Sequence, residues 1–128
     1  MDEKVLGENS FKAARNFLAY RGYEQAGDAR LDDGTRVVIF VDGHYLTFAP
    51  VVWSVGAAEG YPPEPEGEET RKALEALART WVSAHAEYSS FSLRIDTISL
   101  VIIAPKYAEL KHHRGVYYPP ESVDYVEA

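Results

Sequence analysis

Arg36-Val37-Val38-Ile39-Phe40-Val41-Asp42-Gly43-His44-Tyr45-Leu46-Thr47-Phe48-Ala49-Pro50-Val51-Val52 places two apolar, strand-like runs on either side of one short turn. Aspartate and glycine tolerate the backbone angles of tight hairpins, so Asp42-Gly43 reads as a hairpin turn. Asp32-Asp33-Gly34-Thr35, just upstream, carries the same signal. Together they predict a meander of about three antiparallel strands. Pro50 is the exception. Proline lacks the donor that a sheet ladder needs, so it predicts an edge, a bulge or a strand end.

Outward from the meander, the pattern changes period. Phe11, Ala14 and Leu18 recur at helical spacing, which predicts an amphipathic helix over residues 10–22. Ser10 is its expected N-cap and Gly22 its expected stop. Residues 54–69 read as a mobile surface loop, because Tyr61-Pro62-Pro63-Glu64-Pro65-Glu66-Gly67 favours extended, solvated backbone. A second helix is expected from near Glu68 to near Ala86, with Leu74, Leu77, Trp81 and Val82 in one stripe. Residues 93–104 read as a central strand covered on both faces, at least over the second half, and ended by Pro105. Residues 114–118 offer a last edge strand. This order predicts one α/β (α+β) domain, a mixed sheet flanked by helices.

Composition narrows the chemistry. The chain has 128 residues, 46% of them hydrophobic, enough for one domain without a covalent staple. Cysteine is absent, which excludes zinc ribbons, thiol catalysis and a disulfide framework. A net charge of −7 opposes a generic phosphate-binding surface, so nucleic acid is disfavoured as a partner. No apolar run approaches the roughly 20 residues that span a bilayer. Met1-Asp2-Glu3-Lys4 lacks the basic-then-apolar order of a signal peptide. A cytoplasmic chain without a membrane partner is therefore expected.

Ala13-Ala14-Arg15-Asn16-Phe17-Leu18-Ala19-Tyr20-Arg21-Gly22-Tyr23 resembles the first-helix signature of the YraN family, small bacterial proteins with a restriction-endonuclease-like fold that are generally predicted to be nucleases. Gly34, Asp42-Gly43, Leu46 and Phe48 look like that family's meander, and Arg71-Lys72 with the following Leu/Ala stretch looks like its second helix. Arg94-Ile95-Asp96 resembles its Arg-Phe-Asp strand, and His112-His113-Arg114-Gly115-Val116-Tyr117 its closing His-x-x-Gly-Ala-Phe. The similarity implies a restriction-endonuclease-like domain over residues 1–118, followed by an acidic tail over residues 119–128.

In that family the motif reads Gly-Glu-Ile-Asp and then Glu-Val-Lys. The carboxylates hold Mg²⁺ and the lysine positions or activates the attacking water. An ungapped match on Gly34 and Asp42-Gly43 puts Thr35 and Val37 at the first glutamate and the aspartate, and Pro50 and Val52 at the second glutamate and the lysine. All four motif residues are thus absent, and neither valine nor proline can coordinate magnesium. The resemblance therefore implies a pseudo-nuclease with no cofactor, acting as a binding or scaffold module on an unknown protein partner or on itself.

Two alternatives stay open. One is an active nuclease with relocated carboxylates, for which Glu8 and Asp96 would hold Mg²⁺ and Lys72 or Arg71 would lend the cation. The other is a non-cleaving nucleic-acid binder using the local cluster of Lys106, Lys111, His112, His113 and Arg114. The four histidines show no i, i+4 spacing, so zinc is weakly supported. The serines lack a nucleophile elbow.

Overall fold

The computed structural model of the chain describes residues 2–56 and 60–121. Residues 122–128, most of the expected acidic tail, lie outside the described residues. Its elements are α1 (Glu3–Tyr20), β1 (Glu24–Arg30), β2 (Arg36–Asp42), β3 (Tyr45–Val55), α2 (Glu68–Ala84), β4 (Ser92–Ala104) and β5 (Tyr107–Tyr117), with a 3₁₀ turn at Ala86–Tyr88. The strands form one mixed sheet in the order β1-β2-β3-β4-β5. β3 and β4 run parallel, joined through α2, and the other three pairs are antiparallel. An α+β domain with helices flanking a mixed sheet is the architecture expected above. No helix among the described residues is long and apolar enough to cross a membrane.

Alternation along β2 explains the layers. Val38 and Phe40 face α1 and join Phe11, Ala14, Leu18, Ile98 and Leu100 in one core. Val37 and Ile39 face the opposite way and join Leu46, Phe48, Leu74, Ala78 and Ile95 under α2. A strand's period of two thus feeds two cores.

Several boundaries differ from expectation. α1 begins two turns earlier, capped by Asp2, whose side chain accepts from the Lys4 backbone N–H at 3.0 Å. Ser10 is not the N-cap. It is buried in mid-helix, and its hydroxyl makes no hydrogen bond among the described residues. Residues 2–5 are solvent-exposed, so no apolar stripe marked the first turn. The stop at Gly22 is as expected, with φ +86°.

Pro50 lies inside the third strand of five, not at an edge, a bulge or a strand end. It pairs with Val37 on β2. Toward β4 the ladder runs from Tyr45 beside Ser92 to Phe48 beside Ile95, then resumes at Val51 beside Ile98 in unchanged register. The strand absorbs the proline by leaving out part of one ladder, while the other holds the alignment.

In β4 the buried stretch is residues 94–101, across the middle of the strand and into its second half, and only the end, Ile103 and Ala104, is exposed. β5 is an edge strand of 11 residues, much longer than expected. Its mixture of Lys111, His113 and Arg114 hides the alternation that would mark a strand.

Three contacts join the Pro/Glu loop to the sheet. The Ser54 hydroxyl donates to the Gly60 carbonyl at 2.6 Å, Lys111 Nζ sits 4.3 Å from the Tyr61 ring centroid, and Glu64 pairs with His113. Its prolines keep it extended. Side chains of β3 and β5 hold it in place.

Candidate functional site

Val37, Pro50 and Val52 share the sheet face that α2 covers. Val37 is fully buried in the core with Leu74 and Ala78, opposite the buried Pro50. Val52 is half-buried, beside Ser99 of β4. Thr35 ends the β1–β2 turn; its N–H donates to Asp33 Oδ1 at 2.9 Å and its carbonyl accepts from the Leu31 N–H at 2.9 Å. The first hydrogen bond, to the Thr35 backbone, holds the Asp33 carboxyl below its ordinary range. Thr97 and Ser99, also on β4, are buried with hydroxyls that find no partner among the described residues.

Over Thr35 and Val52 opens a groove of about 1020 Å³ between the β1–β2 turn, the Pro/Glu loop and α2. Ala73, Ala76, Leu77 and Trp81 form one wall. Among the described residues, Asp32, Asp33, Glu64, Glu66 and Glu69 line it against a single cation, Arg30. Among the described residues no trio of histidine, aspartate or glutamate is arranged to hold a metal ion.

Glu8, Asp96 and Lys72 are not brought together. Glu8 lies on α1 and accepts from Arg36 at 2.9 Å, while the Arg36 guanidinium stacks 3.9 Å from the Phe11 ring centroid. Lys72 is exposed on α2, on the other side of the sheet, 3.4 Å from Glu68. Arg71 lies over the Tyr117 ring at 5.3 Å. The cation and both carboxylates of a relocated site thus have separate partners.

Asp96 sits on the α1 side in a buried polar cluster. Arg94 donates to it twice, Nε to Oδ1 at 2.8 Å and Nη2 to Oδ2 at 3.0 Å. His112 Nε2 reaches Oδ2 at 2.7 Å, and the Gly115 N–H donates to Oδ1 at 2.8 Å. An ionised carboxylate offers about four acceptor positions, and four donors fill them. No lone pair is left for a cation. Because Asp96 only accepts, the proton of that contact belongs to His112 Nε2.

The hairpin geometry produces this clasp. Ile95 faces Tyr117 and Thr97 faces His113, so β5 bulges opposite Asp96. Gly115 takes φ +64° there, which turns its N–H inward. Phe17, Tyr23 and Phe40 surround the His112 ring, with centroids 5.8–6.2 Å away. Arg94 also pairs with Asp42 at 2.9 Å, and Asp42 accepts from Arg114 at 2.8 Å. Nothing in the sequence spacing announced the Asp42 link. A carboxylate entering an apolar strand needs partners, but the sequence alone does not say which. The Arg94-Ile95-Asp96 and His112-to-Gly115 stretches, distant in sequence, thus meet at one carboxylate.

Burial alone would push the Asp96 carboxyl up; hydrogen bonds from His112, Arg94 and the Gly115 backbone outweigh it and hold the group below its ordinary 3.8. Burial likewise opposes the Arg94 charge, but Asp96 and then Asp42 raise its affinity for the proton. Asp42 is held low against its own partial burial by Arg94 and Arg114. Asp96 therefore stabilises the fold fully above pH 3.8, where the unfolded chain is also ionised, and loses that contribution as the pH falls through the lower folded value. Urea titrations from pH 6 to pH 2 should show stability falling mainly below about pH 4. In Asp96→Asn the fall should be shallower, and an unchanged slope would assign the loss elsewhere.

Compared with known proteins, the chain matches no protein-family model and none of the curated proteins.

Proposed function

We propose that the chain is a restriction-endonuclease-like domain, a divergent relative of the YraN family, that has lost metal-dependent cleavage and works in the cytoplasm as a binding or scaffold module. The observation that carries this is the shared face of Val37, Pro50 and Val52: the positions aligned with the motif's aspartate, second glutamate and lysine cluster, and what they offer is apolar wall. The order helix, meander, helix, parallel strand supports the ancestry, and the open groove beside these residues supports the role. The four donors on Asp96 weigh against a relocated metal site.

Incubating the purified chain with Mg²⁺ or Mn²⁺ and single- or double-stranded DNA or RNA should give no cutting above a metal-free control. Reproducible metal-dependent cutting that disappears in both Glu8→Gln and Asp96→Asn would establish the rival, a nuclease with relocated carboxylates. A non-cleaving nucleic-acid binder would instead show affinity falling steeply with salt.

A further inference from the structure

We infer that the groove between α2 and the β1–β2 turn receives an extended polypeptide segment of a partner protein that carries lysine or arginine side chains beside small apolar ones. This rests on the non-catalytic reading above and names the partner's chemistry. At about 1020 Å³ the groove sits at the upper end of ligand-pocket sizes, about 300–1,000 Å³. Ala29, Ala73 and Ala76 line it. Side chains that short let another backbone come close, while Val52, Leu77 and Trp81 supply apolar area for an anchor.

Charge selects the occupant. Five carboxylates face one guanidinium, and three of them, Asp32, Glu66 and Glu69, make no ion pair among the described residues. That field attracts cationic side chains and repels phosphates, which favours a basic polypeptide over a nucleic acid. Glu64 is held by His113 and Asp33 by the turn, so part of the acidic lining is already oriented before a partner arrives.

The chain has two tryptophans. Trp81 lines the groove, and Trp53 packs on the α1 side, so a Trp53→Phe chain reports the groove through one indole. The probes are a ten-residue peptide alternating lysine and alanine, its glutamate counterpart, and a single-stranded decanucleotide. The lysine peptide should shift Trp81 emission saturably and bind at least about tenfold more weakly in high salt. The other two probes should leave the emission unchanged. Asp32→Lys with Glu69→Lys, both at exposed positions, should weaken the lysine peptide at least about tenfold, and Lys12→Glu on the opposite side should not.

No saturable response, a response indifferent to the double charge reversal, or a response to the decanucleotide instead would overturn the inference. Loss of the peptide response without metal-dependent cutting removes this partner class alone. Metal-dependent cutting removes the non-catalytic reading, whatever the peptide does.

Discussion

Arg94→Met should lower folding stability by about 3–5 kcal/mol, because it strips a fully buried carboxylate of a charged partner. Two of the four donations to Asp96 vanish, and the Asp42 contact goes with them. The remaining donors, His112 and the Gly115 N–H, satisfy half of the acceptor positions. Removing the carboxylate as well, in Arg94→Met with Asp96→Leu, should recover part of the loss, since no buried charge is left at position 96, while the His112 Nε2–H and the Gly115 N–H lose their acceptor. Urea unfolding at pH 7 measures both. The deficit of the single variant should narrow toward pH 4 as its Asp96 becomes easier to protonate. A loss under about 1 kcal/mol would place the cluster with surface pairs of little weight.

Val37→Asp should cost a similar amount, about 3–5 kcal/mol at pH 7, because the new carboxylate would be buried among Leu74, Ala78 and Phe48 without a partner. Restoring the other end of the motif should be nearly free. Val52 stands half-exposed at the groove, so Val52→Lys can carry its charge to water at a cost within about 1 kcal/mol. The contrast is informative because both substitutions reinstate residue types of the nuclease motif. If Val37→Asp folds with native stability and binds Mg²⁺, the wall under α2 is a cleft after all, and the proposed loss of catalysis fails. Calorimetric titration with Mg²⁺ alone decides the second point.

Much of the fold was legible because its signals are local. Asp32-Asp33-Gly34-Thr35 and Asp42-Gly43 mark real turns, and the stripe of Leu74, Leu77, Trp81 and Val82 marks a helix lying on the sheet. The start of α1 was hidden because residues 2–5 bury nothing, so only the Asp2 cap defines it. Pro50 was misplaced for a different reason. Its local rule concerns one missing donor, and a strand paired on both sides can lose that donor toward one neighbour while the other neighbour keeps the register. The site divides along the same line. The vacancies at Val37, Pro50 and Val52 could be named from alignment, whereas the acidic groove draws on three separate segments, so no single stretch of sequence contains it. Asp96 could be marked as needing partners. Its full set of four depended on a bulge 19 residues further along the chain.

Three of the four ladders join neighbours across short turns, and each can zip from its own bend in microseconds. The parallel contact is unlike them. Tyr45 must find Ser92 and Val55 must find Ile102, with the whole of α2 in between, so a long stretch is immobilised before any bond forms in return. Residues 24–55 and 92–117 can each zip up early as separate sheet fragments. Their lateral joining should therefore limit the rate at which the molecule becomes whole, at a ladder where a proline has already removed some of the stitching.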